Sequence, residues 1–340
     1  MSTSSYRFFF VTLFALGLPT LTQAQSVPEL PDGHGKELVQ AACVACHLTD
    51  LISNSTGYTN EQWRHLMSKM IDLPDPLAGE IAQYLSNNFP LDTARHPTLV
   101  AGDVSVTFQE WTAPTLGQRP RDPLMTPDGM IWWAGMYGSL IGRLNPETGE
   151  MTEWKLDPTA QPHSIINDVE GNIWYTGNGN STVGKLDPTT GEITVYPMPD
   201  PAARDPHTPI ITRNGDMWFT VQNSNMLGRI VPDTGDIRLT TMPRESARPY
   251  GIKEDSHGMI WIAYRGSNAI AKVDPDSWEI TEYETPNPNP ESHHGNHYVR
   301  RLALADDDTV WYVDSGRGYI GQLNPDTGET HALFVYGDIM

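Results

Sequence analysis

One short text returns five times in this chain, and a chain that repeats itself at such a period can fold in few ways. The copies are Asp128-Gly129-Met130-Ile131-Trp132, Glu170-Gly171-Asn172-Ile173-Trp174, Asn214-Gly215-Asp216-Met217-Trp218, His257-Gly258-Met259-Ile260-Trp261 and Asp307-Asp308-Thr309-Val310-Trp311. Their tryptophans are 42, 44, 43 and 50 residues apart. A period of this size holding several short strands predicts propeller blades. The 29 glycines, 28 prolines, 10 tryptophans and 13 tyrosines agree with many short strands joined by tight turns.

Each unit reads as four strands. A short strand precedes the Asp-Gly-type turn and the tryptophan strand follows it. The third resembles Ile141-Gly142-Arg143-Leu144 and the fourth Ile193-Thr194-Val195-Tyr196. Between the last two lies Asn145-Pro146-Glu147-Thr148-Gly149 or Asp187-Pro188-Thr189-Thr190-Gly191, where proline pre-sets one turn position and glycine takes the positive φ near the end. A tryptophan at one fixed place per blade reads as packing between blades.

The repeats resemble the virginiamycin B lyase (streptogramin lyase) family of seven-bladed propellers over about residues 104–336. Gly171-Asn172-Ile173-Trp174-Tyr175-Thr176, Val183-Gly184-Lys185-Leu186-Asp187-Pro188 and Gly191-Glu192-Ile193-Thr194 carry that resemblance. Five complete units are present in the propeller region, 104–340. Phe108-Gln109-Glu110-Trp111-Thr112 reads as an orphan fourth strand, of the kind that closes a last blade. The expectation is a truncated seven-bladed ring, with a five-bladed ring carrying a spare N-terminal strand as the alternative.

The N-terminal part speaks of export and of haem. Residues 1–24 carry a single arginine, Arg7, an apolar run from Phe8 to Leu18 and a small-residue end at Thr22-Gln23-Ala24, the pattern of a cleaved secretory signal. No later stretch is long and apolar enough to span a membrane. The only two cysteines of the 340 residues stand in Cys43-Val44-Ala45-Cys46-His47. C-x-x-C-H is the pattern of covalent haem c attachment, with Cys43 and Cys46 as thioether anchors and His47 as an axial iron ligand. A disulfide or another metal site with His47 are the competing readings, and a lone C-x-x-C offers too few ligands for a closed zinc site.

A small all-α domain, residues 28–92, is expected around that motif. Leu38, Val39 and Ala42 sit at helical spacing. A second helix starts at Thr59, a plausible N-cap with Gln62 three residues on, and runs through Trp63, Leu66, Met67 and Met70 to a stop at Pro74. A third covers Leu77 to Asn88, with Ile81, Tyr84 and Leu85 on one face. The order is similar to that of small class I cytochromes c attached to periplasmic dehydrogenases. There a tryptophan-started helix carries the methionine ligand near its end, followed by a helix reading I-x-x-Y-L, here Ile81-Ala82-Gln83-Tyr84-Leu85. The resemblance favours Met70 as sixth ligand over Met67 or His65, although Ile71-Asp72-Leu73-Pro74 replaces the glycine usual after the methionine. Residues 93–103 read as a linker.

With 42 Asp and Glu against 22 Lys and Arg, the net charge of -20 excludes nucleic acid as a natural partner and suits a basic redox partner in the periplasm.

On the propeller, the polar candidates gather where the innermost strands begin. They are Arg121, Pro162-His163, Pro206-His207, Arg248-Pro249-Tyr250 and the insertion Glu291-Ser292-His293-His294-Gly295-Asn296-His297 leading into Arg300 and Arg301. Equivalent positions in successive blades converge on the central channel, so His163, His207, Tyr250 and Arg300 are candidates to face one cavity. The three histidines of the insertion would suit a metal. The lyase resemblance implies a histidine base and a magnesium ion held by glutamates. At the Thr-Glu positions of the family, however, this chain has Gly135, Gly177, Val221, Tyr264 and Asp314, of which only the last can hold a hard cation. The reading favoured is therefore single-electron transfer through a His/Met-ligated haem, with the propeller binding a partner protein or a small molecule. The alternative is a lyase-type or other propeller enzyme acting on a small molecule, with the haem accessory.

Overall fold

The structure, a computed structural model, describes residues 29–44, 49–53, 55–68, 70–90, 107–286, 299–315 and 319–334. The chain divides between Thr98 and Leu99 into two compact units. Among the described residues no helix is long and apolar enough to cross a membrane.

Among the described residues the N-terminal unit holds four short helices, α1 (Lys36–Ala42), α2 (Thr49–Ser53), α3 (Asn60–Ser68) and α4 (Asp75–Asn88). Thr59 caps α3 reciprocally with Gln62. Its backbone N–H donates to Gln62 Oε1 at 2.9 Å, and Gln62 N–H donates to Thr59 Oγ1 at 3.3 Å. Val39, Trp63, Met67, Ile81, Tyr84 and Leu85 form one core, against which Cys43 and Leu66 pack. Gly35 has φ of 104° and lies so close to Tyr84 that an added Cβ would stand 2.6 Å from the tyrosine Cβ, so only glycine fits there.

Among the described residues the second unit contains five antiparallel four-stranded sheets, each paired in sequence order. They are β1–β4 (residues 120–155), β5–β8 (162–197), β9–β12 (206–241), β13–β16 (249–284) and β17–β20 (299–334). The first strands of successive sheets touch one another, β1 to β5, β5 to β9, β9 to β13 and β13 to β17, which is the radial arrangement of propeller blades. Each first strand carries a break in register near its start, for example between Arg121 and Leu124 and between Pro162 and Ile165.

The blade tryptophans form the interfaces. Trp132 packs into the second blade with Ile165, Ile173 and Tyr175. Trp174 does so in the third with Met217 and Phe219, Trp218 in the fourth with Ile252 and Ile260, and Trp261 in the fifth with Val310 and Tyr312. Burying such a ring is worth about 3–5 kcal/mol by the usual cost of its truncation. The turn side chains orient it: Trp174 Nε1 donates to Asp168 Oδ2 at 2.8 Å, and Trp261 Nε1 to Asp255 Oδ2 at 2.7 Å.

Two further devices repeat. The residue after each tryptophan lies across the ladder from a glycine: Trp133 opposite Gly142, Tyr175 opposite Gly184, Phe219 opposite Gly228 and Tyr312 opposite Gly321. In the fourth blade the pair is Ile262 and Ala271. The ring covers the glycine, so a Cβ at Gly142 would stand 2.0 Å from the Trp133 ring and one at Gly184 2.1 Å from that of Tyr175.

The other device is an aromatic slot between neighbouring blades. A fourth-strand ring packs on its own blade's tryptophan, Trp154 stacked on Trp132 at 5.3 Å, Tyr196 stacked on Trp174 at 5.7 Å and Tyr283 tilted against Trp261 at 5.6 Å. The same rings lie over the turn glycines of the next blade, Gly191, Gly235 and Gly328. In the third blade Thr240 stands where the ring should be, and the slot is filled from the other side. Trp278 occupies the fourth blade's turn position at φ of 63° and stacks on Trp218 at 4.7 Å. Among the described residues Phe108–Thr112 pairs with no strand, yet Trp111 lies over Gly149 as the fourth-strand rings lie over their glycines.

Candidate functional site

The starts of the inner strands carry a strained backbone. Arg119, Gln161, Asp205 and Arg248, each directly before the first proline of an inner strand, have φ of 51°, 41°, 69° and 51°, and Asp122, before Pro123, has φ of 42°. Left-handed backbone at non-glycine residues is costly and gathers at functional sites.

Here side chains from all five blades meet. His163 and His207, 4% and 5% exposed, have ring centroids 3.6 Å apart, and His207 lies 4.4 Å from the Tyr250 ring. Arg301 sits 5.7 Å from the Tyr250 centroid and donates to Asp122 Oδ1 at 3.3 Å, so the fifth blade reaches the first. Arg121, half-buried on the first blade, touches Met136 Sδ at 3.8 Å, and Arg119 lies 5.0 Å from the Tyr137 ring.

A hydrogen-bond chain sets the tautomer of His163. The Ser164 hydroxyl donates to Asp122 Oδ2, so Ser164 Oγ, 2.9 Å from His163 Nδ1, accepts the imidazole proton and leaves the lone pair on Nε2. His207 Nδ1 is 3.0 Å from Thr208 Oγ1. Thr176 Oγ1 donates to the His207 carbonyl at 2.8 Å and Thr220 Oγ1 to that of Tyr250 at 3.0 Å, so in the second and third blades the threonine after the aromatic pair pins the next blade's site residue.

Burial, and then the Arg121 and Arg301 guanidiniums, lower the pKa of His163 to about 3. Burial and the neighbouring His163 lower that of His207 to about 2. Both rings are therefore neutral at pH 7. Burial raises Asp205, which accepts from Asn178 Nδ2, to about 7.

Of the residues singled out in the sequence, His163, His207 and Tyr250 lie together. The fifth blade's contacts to Asp122 and Tyr250 come from Arg301, the neighbour of Arg300. The register of that strand breaks between Val299 and Arg301. Asp122, Ser164 and Thr208 were missed, although a hydroxyl residue directly after both histidines was a readable signal. The insertion 291–297 lies outside the described residues. Asp314, Gly177, Val221 and Tyr264 end their second strands beside this site, and Asp314 is fully buried. Among the described residues no group of three or more His, Cys, Asp and Glu side chains converges as a metal site would.

In the N-terminal unit, Cys43 lies at the end of α1 and is half-buried. Cys46 and His47 lie outside the described residues. Met67 is buried at 4% in the core that Cys43 touches, whereas Met70 follows α3 at 44% exposure. Trp63 Nε1 in the same core is buried with no hydrogen-bond partner among the described residues.

Virginiamycin B lyase from Staphylococcus aureus has a similar structure, at 27% identity over 65% of this chain and 71% of that one, with a TM-score of 0.57. A catalytically inactive histidine-to-alanine variant of that enzyme, solved with quinupristin, matches at 27% identity over 64% and 70% of the two chains, also with a TM-score of 0.57. A streptogramin B lyase structure matches at 26% identity over 65% and 70%, with the same TM-score. A search of curated proteins finds no match. The model of the virginiamycin B lyase family matches residues 99–297, more than half of the sequence, and the chain belongs to that family.

Proposed function

We propose that the propeller acts on a small molecule held where its inner strands begin, with the neutral His163 imidazole accepting a hydrogen bond from it at Nε2. The observation that carries this reading is the convergence of Asp122, His163, His207, Tyr250 and Arg301 from five different blades. A buried neutral imidazole with a set tautomer offers one fixed hydrogen-bond acceptor to a bound molecule, and its lowered pKa keeps it uncharged in that role. Asp122 acts through Ser164 as a positioning residue, holding the Nε2 lone pair of His163 free of its own proton. Titration with a set of small fragments, read in the ring spectra of histidine and tyrosine, tests this. The expected shifts fall on His163, His207 and Tyr250 and vanish in a His163→Asn, His207→Asn double variant. Shifts confined to the groove of about 470 Å³ at the opposite end, lined by Thr126, Asp128, Trp132, Arg143 and Asp168, would rule the reading out.

A second reading concerns the N-terminal unit, and Trp63 Nε1, without a partner among the described residues and in the core against which Cys43 packs, favours it. A buried indole N–H with no acceptor fits a core completed by a group that brings one. We propose that Cys43 and Cys46 anchor haem c, that His47 and Met70 hold its iron, and that Trp63 donates to the group's polar edge. Haem supplies a one-electron couple, and the exported protein would exchange that electron with a periplasmic redox partner. Protein made with the haem-attachment machinery should keep its haem through denaturation, and Cys43→Ala, Cys46→Ala should lose it. Met70→Ala should abolish the methionine-to-iron absorption band. Loss in Met67→Ala instead would move the ligand one helical turn back, to the buried sulfur.

A further inference from the structure

We infer that the ligand of the five-blade site is a small monocarboxylate with a flat, unsaturated body. Its carboxylate would be taken by Arg121 with Arg301 and its body by the rings of His163, His207 and Tyr250. The inference rests on the small-molecule reading above and names its ligand class.

Three guanidiniums, Arg119, Arg121 and Arg301, act on His163 in a chain whose acidic residues outnumber its basic ones 42 to 22. Asp122 is already engaged by Arg301 and by Ser164. Arg121 is half-buried, and among the described residues no carboxylate lies within ion-pair distance of it. Its described side-chain contact is the Met136 thioether at 3.8 Å. A buried charge without a counter-charge is expensive, and one guanidinium fork lacking a partner is completed by one carboxylate. Both histidines are neutral and do not compete for that role. The ring column, with centroids 3.6 and 4.4 Å apart, offers an aromatic surface for a planar group beside the charge, which a bare inorganic anion would not use.

Benzoate, its neutral isostere benzamide and inorganic phosphate, each titrated into the full chain, test the inference. The expected result is that benzoate binds at least about tenfold tighter than benzamide, as a charge-assisted pair implies. It should also shift the rings of His163, His207 and Tyr250, and phosphate should displace it weakly. Arg121→Gln should abolish the preference for benzoate, and Arg121→Lys, which keeps the charge without the planar fork, should keep part of it. Equal affinity for benzoate and benzamide overturns the inference, as does an unchanged preference in Arg121→Gln, or phosphate binding more tightly than benzoate. Ring shifts with benzamide alone would sink the carboxylate and leave the small-molecule reading standing. If neither compound moves these rings at about 10 mM, the inference falls. The small-molecule reading falls with it only if the fragment set also leaves them unmoved.

Discussion

Gly228→Ala should destabilise the propeller by about 3 kcal/mol, at the upper end of the cost of overpacking a well-filled core. In a unit of this size that lowers Tm by roughly 10 °C. The added methyl would stand 2.3 Å from Cζ of Phe219, which covers Gly228 across the β10–β11 ladder. Phe219 is itself fully buried in the interface around Trp174, so the ring has nowhere to swing. The fourth blade shows the way out. Its equivalent pair is Ile262 opposite Ala271, a smaller side chain over a larger one. Phe219→Ile alone should cost about 1–3 kcal/mol through the void it leaves. The double variant, Phe219→Ile with Gly228→Ala, should be more stable than Gly228→Ala alone. A double-mutant cycle by urea unfolding measures the coupling, expected at about 2 kcal/mol in favour of the pair. Strict additivity would show that the ring and the glycine do not constrain each other.

Acid should unfold the propeller through its site. His163 and His207 have folded pKa values of about 3 and about 2, below the ordinary 6.5, so their contribution is full above about pH 6.5 and is lost as the pH falls, because the unfolded chain binds the protons first. Asp205, raised to about 7, works the other way. Its contribution is full below about pH 4 and is lost as the pH rises through 7. Between about pH 6 and 4 the two histidines and the aspartate oppose each other, leaving a net of one proton. Stability should therefore fall by roughly 1 kcal/mol per pH unit on acidification. Asp205→Asn keeps an acceptor for Asn178 and removes the opposing proton, so it should about double that slope. His163→Asn should flatten it. Urea unfolding of the three proteins across this range reads the slopes directly, and parallel curves would show that these groups titrate alike in folded and unfolded chains.

How much of this could be read from the sequence depends on the range of the physics involved. The five sheets were legible because a turn, a tryptophan strand and a Pro-x-x-Gly turn are local patterns, each set by a few adjacent residues. The gathering of His163, His207 and Tyr250 was legible because repetition converts equal sequence position into equal radial position. The contacts of Arg301 were not legible because they join the fifth blade to Asp122 in the first and Tyr250 in the fourth, far away in the sequence. Asp122 escaped because its role depends on Ser164, 42 residues away and in another blade. The glycine in Ile141-Gly142-Arg143-Leu144 was visible as text, but its reason, the Trp133 ring lying across it, appears only once the strands are paired.

The slot filled by Trp278 has a consequence for exchanging blades. Most of these interfaces are built on one convention, in which the earlier blade brings the ring and the later one a turn glycine. The junction of the third and fourth blades uses the reverse, with Thr240 facing Trp278. A fourth blade placed after the first or second would meet a ring already in place and present it with another. A second blade placed after the third would find two small residues and a hole. The junction thus acts as a key that distinguishes otherwise interchangeable repeats, so that shuffled or recombined copies of this chain are penalised at one defined place.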